Sequence, residues 1–236
     1  MSKVQTTSNA MREKTVYTLG ALGTLLLIWN FYTIFVKLPT DALQGDIYRI
    51  IFIHVPAAIT AFTLYGVAVL ASIAFLITKK FSWDSMAVSA VETGTMFTMV
   101  NLVTGSIWGR IEWGIWWAWD ARMTTQLMLF LLYLGYLLMR PAVTEPTQRA
   151  TMSAFLAIFA AADIPIVVMA IRLHNVRTQH PGPVLETGGL APIYWPPFLI
   201  GILSFLLLGT AMMIIRLHQE SNTREIDSLR RELHAA

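Results

Sequence analysis

The chain has no cysteine among its 236 residues. Without a thiol it cannot form a disulfide, hold an iron–sulfur cluster, or attach a prosthetic group through thioether bonds. Any group that this protein binds must therefore be held without a covalent link to cysteine.

Charged residues are also scarce. Asp, Glu, Lys and Arg make up 13% of the chain and hydrophobic residues 56%, and the mean hydropathy is +0.58. A soluble domain carries about 25% charged residues. Half that share, together with apolar runs of about twenty residues, predicts an integral membrane protein. The net charge of +3 reflects an excess of lysine and arginine in the connections between spans. It is therefore no sign of a nucleic-acid partner, and we expect none.

The apolar runs predict an all-α bundle of six transmembrane helices. The connections between them are too short for an extramembrane domain, so residues 1–236 are expected to form a single membrane domain. About fifteen mostly polar residues precede the first run and no small-residue cleavage pattern follows it, so no cleavable signal peptide is expected. The predicted spans are 16–36, 50–78, 86–107, 124–139, 152–171 and 197–217.

Lysine and arginine are distributed unevenly among the connections. Cytoplasmic connections of membrane proteins carry an excess of these residues. Eleven of the seventeen lie on the side of the two termini, and six lie on the other side. This bias predicts that both termini are cytoplasmic. The eleven are Lys3, Arg12, Lys14, Lys79, Lys80, Arg140, Arg149, Arg216, Arg224, Arg230 and Arg231, and the six are Lys37, Arg49, Arg110, Arg122, Arg172 and Arg177.

The third connection, 108–122, reads WGRIEWGIWWAWDAR and is exceptionally rich in tryptophan. Its tryptophans are Trp108, Trp113, Trp116, Trp117 and Trp119. Such a cluster, flanked by apolar spans, predicts a platform for a flat, aromatic and mostly apolar ligand. Asp120 and Arg122 add one charge of each sign, and a guanidinium can hold a carboxylate through two parallel hydrogen bonds. A porphyrin with two propionates fits this description, as do other flat amphiphiles.

Three histidines are predicted on the same side of the membrane as this segment. Because each span reverses the chain, the first, third and fifth connections share the outer face. His54 lies about one turn inside the outer end of the second span, and His174 and His180 lie in the fifth connection. Two histidines from different segments can bind the iron of a haem from opposite faces.

Each of these features also has a simpler interpretation. The tryptophans could form an interfacial belt, His54 could be an interior residue bonded to a carbonyl, and His174 and His180 could be surface histidines. Asp120 is a candidate N-cap for the fourth span.

Asp163 in the fifth span and the apolar residues of the tail lead to two further predictions. Asp163, two residues before Pro165, is expected to have a structural role beside the proline, or to mark a polar route through the bundle. In the tail, 218–236, Ile226, Leu229 and Leu233 recur at helical spacing. This spacing predicts a short amphipathic cytoplasmic helix that docks a partner.

With these residues in view, the chain resembles a known family. Residues 113–122 match the form WGxWWxWDxR, the signature of the WWD-domain family of haem-handling membrane proteins, and HVPAA around His54 is similar to the same family. The length, the six spans and His180 before a Pro-Gly turn resemble its haem exporter protein C branch, which belongs to the bacterial cytochrome c maturation system. The resemblance covers nearly the whole chain.

The resemblance implies a haem carrier rather than an enzyme. The family holds haem b without covalent links at the periplasmic face of the bacterial inner membrane. Residues 108–122 would be the platform, and His54 and His180 the axial ligands of the iron, with His174 as an alternative to His180. The family acts with the subunits of an ABC transporter and a small single-span membrane partner, and presents haem to a periplasmic haem chaperone.

Two other functions remain compatible with the residues alone. One is a membrane electron-transfer protein with a b-type haem, although the spans hold no second histidine pair for a redox chain across the bilayer. The other is a channel or transporter that binds no haem and uses the tryptophans only as anchors.

Overall fold

The computed structural model describes residues 3–172, 180 and 189–235, and the chain there is almost wholly helical. A π-helical turn, Thr33–Lys37, extends the first helix, and 3₁₀ turns lie at Asp46–Ile50, Arg140–Ala142 and Pro192–Tyr194. The α-helices of the described residues are α1 Lys3–Tyr32, α2 Ile51–Thr78, α3 Phe81–Glu112, α4 Ala121–Met139, α5 Pro146–Ala161, α6 Asp163–Met169 and α7 Trp195–Ala235.

Six helical stretches within the described residues are long and apolar enough to cross a bilayer. Each coincides with one predicted span, which confirms the predicted six-helix membrane bundle. Six crossings put the start of α1 and the end of α7 at the same end, here called the terminal end; the other is the distal end. Which end faces the cytoplasm stays a prediction. The stretches are Met11–Lys37, Asp46–Thr78, Phe81–Glu112, Ala121–Ala142, Pro146–Met169 and Pro192–Arg230.

The fifth span is interrupted at Ala162 instead of forming one continuous helix. Pro165 has no N–H to donate to the Ala161 carbonyl, and its ring collides with that carbonyl in a regular helix. The chain therefore forms two successive helices, α5 and α6, and the Ala162 N–H bonds to the Phe159 carbonyl at 3.1 Å. Asp163 begins α6 with a buried side chain, and its Oδ2 has no hydrogen-bond partner among the described residues.

Helices α2 and α3 form a tight hairpin through the middle of the bundle. Only Lys79 and Lys80 separate them; Lys79 has a left-handed conformation, with φ 56°, and its N–H bonds to the Phe75 carbonyl at 2.8 Å. Gly94 allows the two helices to approach closely, because a Cβ there would lie 2.9 Å from the Tyr65 ring. Since α2 also packs on α5 and α7, and α3 on α4, α5 and α7, both helices are central to the bundle.

A pair of stacked tyrosines ties α4 to this hairpin. The rings of Tyr65 and Tyr133 are parallel to within 4°, with their centroids 3.7 Å apart. Both hydroxyls are hydrogen-bonded, Tyr65 to Thr98 Oγ1 at 2.9 Å and Tyr133 to the Ala157 carbonyl at 3.2 Å. Buried polar groups are stable only when they are paired in this way. The pair therefore holds α2, α3, α4 and α5 in a fixed arrangement.

A buried ion network closes the terminal end. Arg140, at the end of α4, binds both carboxylate oxygens of Asp84 at 2.8 and 3.0 Å, and the Asp84 side chain is only 3% exposed. From α7, Arg224 bonds to Asp84 and to Glu220. Arg140 also donates to Ser153 Oγ at 3.0 Å. The network joins α3, α4, α5 and the extension of α7.

The C-terminal segment is helical, but it is not a separate short helix. Helix α7 continues to Ala235, and no glycine or proline follows Gly209 to interrupt it. Glu220 and Arg224 attach this extension to the bundle. Ile226 and Leu229 remain about half exposed on it, and partner binding by this face stays a prediction.

Because Asp84 offsets two guanidinium groups, we expect Asp84→Asn to destabilise the protein strongly. Removing one partner of a buried ion pair costs about 3–5 kcal/mol, since the remaining charge is left buried. The free energy of unfolding in detergent micelles, measured by chemical denaturation, tests this expectation.

Asp227→Asn is the matched control, because Asp227 lies on the same extension with a side chain that is 43% exposed and 3.8 Å from Arg230. Exposed pairs contribute about 0–1 kcal/mol, so this variant should unfold like the wild type. Equal losses in the two variants would show that the buried network does not stabilise the bundle.

Candidate functional site

A cavity lies at the distal end, between the start of α2, the second half of α3 and the start of α4. The empty space between its lining residues, including the part that is open to the surroundings, is about 500 Å³. Its lining is mostly apolar and aromatic, with a few polar side chains. The lining residues are His54, Asn101, Leu102, Gly105, Trp108, Trp113, Trp117, Arg122, Met123, Gln126 and His180.

His54, the fourth residue of α2, is held by two side chains of α3. Thr104 donates its only hydroxyl hydrogen to a backbone carbonyl of its own helix, so its oxygen accepts from His54 Nδ1 at 3.0 Å. Asn101 Nδ2 donates to the His54 carbonyl at 3.0 Å and lies 3.2 Å from Nε2 and 3.3 Å from Nδ1. The Thr104 contact, which distinguishes the two ring nitrogens, places a hydrogen on Nδ1, and a neutral imidazole then has its lone pair on Nε2.

Gly105 provides the space that the His54 ring occupies. A Cβ at this position would lie 2.9 Å from His54 Cε1, closer than two carbon atoms can pack. Thr104 and Asn101 prevent the ring from moving away freely. The side chains that hold the ring and the glycine that makes room for it thus come from one stretch of α3.

The rings of the two histidines of the cavity lie close to each other. The ring centroids of His54 and His180 are 6.2 Å apart, with an angle of 38° between their planes. Trp108 stands edge-on to His54, with centroids 5.9 Å apart. His174, the alternative ligand, lies outside the described residues. The structure thus brings His54 and His180 together, although one comes from a helix and the other from the fifth connection.

The tryptophan-rich segment begins as helix and then folds back over it. Helix α3 continues through Glu112, so the first five residues of 108–122 are helical rather than part of a loop. Gly114, with φ +76°, turns the chain after the helix. Ser106 Oγ then donates to the Trp116 carbonyl at 2.9 Å, and Arg110 bonds to the Gly114 carbonyl.

The five tryptophans differ in burial, although the rings of Trp117 and Trp119 are in edge-to-face contact, with centroids 5.9 Å apart. Trp108, Trp113 and Trp117 line the cavity, and Trp108 is buried with its Nε1–H bonded to Gln44 Oε1 at 3.0 Å. Trp116 and Trp119 are 59% and 71% exposed. Trp119 also has φ +54°, a conformation that costs a non-glycine residue about 1–3 kcal/mol.

The two charged residues of the segment have separate positions. Asp120 caps α4, because its Oδ1 accepts from the Met123 N–H at 2.8 Å; the predicted N-cap is confirmed. It is buried but does not line the cavity. Arg122 does line the cavity, and its Nη1 donates to the Val167 carbonyl of α6 at 3.0 Å.

Several cavity residues were not among the predicted site residues. Asn101 and Gln126 are visible in the sequence only as polar residues within spans, and Thr104 and Gly105 carry no signal of their own. The sequence signal that could have identified them is their spacing from residues of the tryptophan motif. Asn101, Gly105 and Trp108 are spaced i, i+4, i+7 on α3, and Arg122 and Gln126 are spaced i, i+4 on α4, so each set lies on one helix face.

Among the described residues, no group of three or more His, Cys, Asp or Glu side chains is placed to hold a metal ion. Two histidines alone are too few for a structural metal site, which needs about four ligands. A metal between them would need its other ligands from a group that brings its own donors, as a macrocycle does.

Six membrane-length helices define a multi-pass membrane protein, and an aromatic cavity bounded by two histidines lies at its distal end. A family model described as Heme exporter protein C matches residues 3–232. The chain belongs to this family.

Curated relatives with the same name are similar over most of their length. The protein of Paracoccus denitrificans is 32% identical over 230 residues, which is 96% of this chain and 93% of the relative. That of Bradyrhizobium diazoefficiens is 34% identical over 222 residues, covering 93% and 84% of the two chains. That of Escherichia coli K12 is 35% identical over 181 residues, covering 76% and 72%.

The space at Gly105 can be tested by comparing two glycines of the central hairpin. Replacing glycine with alanine within a helix normally stabilises it by about 1 kcal/mol. We expect this gain for Gly66→Ala, since a Cβ at Gly66 has nothing within 4 Å. Gly105→Ala should instead lower the unfolding midpoint, because the new methyl group collides with the hydrogen-bonded His54 ring. A gain at both positions would show that the ring yields without cost.

Proposed function

We propose that this protein binds haem b as cargo between His54 and His180, and presents it at the periplasmic face of the bacterial inner membrane to a periplasmic haem chaperone during cytochrome c biogenesis. The family name, Heme exporter protein C, supports a role in haem export. The same name also supports the role of a carrier rather than that of an enzyme.

The spacing of the two histidine rings carries the proposal. A metal–imidazole bond is about 2 Å long, and the ring centre lies about 1 Å beyond the nitrogen, so two imidazoles on opposite sides of one metal have centres about 6 Å apart. The His54 and His180 centroids are 6.2 Å apart. The hydrogen bond from His54 Nδ1 to Thr104 would orient Nε2 as the ligand atom, in the way that neighbouring groups orient metal-bound histidines.

The remaining lining matches the chemistry of a porphyrin. Trp108, Trp113 and Trp117 offer aromatic surface for the ring, and Met123 and Leu102 add apolar contacts. Arg122 is placed to bind a carboxylate of the cargo. Since the chain has no cysteine, it cannot hold the haem through thioether bonds, and non-covalent binding suits a carrier that hands its cargo on.

Two exposed tryptophans suggest how the cargo is presented. Trp116 and Trp119 lie on the segment that covers the cavity, yet their side chains are mostly exposed. We expect them, with Asp120 at the start of α4, to orient the haem and the chaperone rather than to supply most of the affinity. The ABC transporter subunits and the small single-span partner implied by the family would act with this protein in the membrane.

Electron transfer across the bilayer is the less favoured function. Such transfer needs a second redox site near the opposite face. The chain has five histidines, and in the described residues His218 of the terminal end bonds to Arg12 rather than to another histidine. A single site at one end suits a carrier better than an electron conductor.

Replacing either proposed ligand tests the function directly. His54→Ala or His180→Ala should remove one axial bond, so that the purified protein changes from a low-spin to a high-spin haem spectrum or loses haem. Added imidazole should partly restore the low-spin spectrum if the variant has lost only a ligand. Visible absorption spectra of wild type and variants provide the measurement.

His174→Ala is the matched control, because His174 precedes His180 by only six residues in the same connection. It should retain the wild-type spectrum. If His174→Ala changed the spectrum while His180→Ala did not, the ligand assignment would be wrong. A wild-type protein without a Soret band, when purified with haem available, would contradict the proposed function as a whole.

The orientation is tested by reporter fusions. From the excess of lysine and arginine at the terminal end, we expect a periplasm-dependent reporter to be active when inserted after Gly114 and inactive at the C-terminus. The opposite pattern would place the cavity in the cytoplasm and exclude delivery to a periplasmic chaperone.

A further inference from the structure

Two hydrogen-bond donors in the cavity have no partner in the described part of the chain. They are Trp117 Nε1 and Gln126 Nε2, and both atoms are buried. Other buried polar atoms of the described residues also lack partners, but among those atoms only these two belong to residues of the cavity lining. The Gln126 side chain is well buried, since the residue is only 6% exposed. Buried donors without partners are rare in folded proteins and are costly to maintain.

The two donors line the cavity together with a cation, Arg122. Gln126 follows Arg122 by four residues on α4, so the two share a helix face, with Gln126 about 6 Å deeper along the helix axis. Trp117 reaches the same cavity from the segment before α4. A guanidinium has five N–H groups, and the bond from Arg122 to Val167 uses one of them.

The charges around Arg122 also favour an anion. Its guanidinium is attracted by Asp120 and repelled by Arg172. Among the described residues, two guanidinium groups and one carboxylate therefore interact here. The unpartnered groups of Trp117 and Gln126 in the same cavity are N–H donors, which suit an anionic acceptor and do not suit a second cation.

We propose that Gln126 and the indole N–H of Trp117 form, beside Arg122, a subsite for one carboxylate of the cargo. This inference rests on the proposed haem-binding function and assigns the subsite to a haem propionate. Two neutral donors and one guanidinium would hold the propionate at a fixed point of the cavity. A ring fixed through its iron and through one propionate can no longer rotate about the line between the two histidines. The subsite would therefore determine which edge of the ring faces the chaperone.

The test compares two ligands that differ only at the carboxylates, haem and haem dimethyl ester. Affinities for full-length protein in detergent micelles are measured by titration of the visible absorption. Gln126→Leu removes the amide, and Trp117→Phe removes the N–H while keeping an aromatic ring. We expect each variant to bind haem about tenfold more weakly, the change typical of one lost hydrogen bond to a charged group. Binding of the ester should weaken less than about threefold, because a neutral ester accepts weaker hydrogen bonds.

Met123→Leu serves as the matched cavity variant, because it changes the lining next to Gln126 without removing a donor. It should affect both ligands equally. Gln126→Glu places a carboxylate where the donor was, so it should weaken haem binding more than Gln126→Leu does and should again spare the ester. Gln126→Leu should not lower the unfolding midpoint of the haem-free protein, since it removes an unpaired buried amide.

The possible outcomes distinguish a failure of the carboxylate subsite from a failure of the proposed haem binding. Equal losses for haem and its ester in the Gln126 and Trp117 variants would overturn the carboxylate subsite while leaving haem binding intact. Unchanged haem affinity in both variants would overturn it as well. A wild-type protein that binds neither ligand would contradict the proposed function itself, and the subsite with it.

Discussion

Polar side chains within a membrane bundle are stabilised by bonds to one another or to the backbone, because lipid offers no hydrogen-bond partners. This constraint shapes both ends of the protein. At the terminal end it joins Asp84, Arg140 and Arg224 into one network. At the distal end it joins His54 to Thr104 and Asn101 across the α2–α3 hairpin. The α2–α3 hairpin therefore holds the bundle together at the terminal end and positions His54, a candidate iron ligand, at the distal end.

The cavity combines a rigid part with a strained part. Its rigid part is the face of α3 that carries Asn101, Gly105 and Trp108, packed against the start of α2. Its strained part is the segment after Glu112, which reverses at Gly114 and holds Trp119 at positive φ. Hydrogen bonds from α3 to the carbonyls of this segment keep it over the cavity. The strained backbone therefore lies beside the cavity rather than in the core. Backbone strain in proteins is found most often at functional sites.

The sequence predicts the parts of this structure that depend on local rules. Apolar runs locate all six spans, Asp120 before the fourth span predicts its N-cap, and alternation of the spans places His54 near His180. The contacts across the α2–α3 interface are not predictable in the same way, because Thr104 and Gly105 acquire their roles only when α3 meets α2. The attachment of the α7 extension through Arg224 is equally non-local. The break at Ala162 does have a local signal, because a proline such as Pro165 interrupts the hydrogen bonding of any helix.

The tryptophan motif shows why a motif predicts a site better than it predicts the role of each residue. Before Gly114 the chain is helical, so Trp108 faces the cavity together with Gly105, three residues earlier. After Gly114 the chain is irregular, and neighbouring residues can point in different directions, as Trp116 and Trp117 do. One motif thus supplies aromatic surface inside the cavity and exposed rings outside it. Because burial differs so much between adjacent positions, a substitution at Trp116 changes an exposed surface, whereas one at Trp117 changes the lining of the cavity.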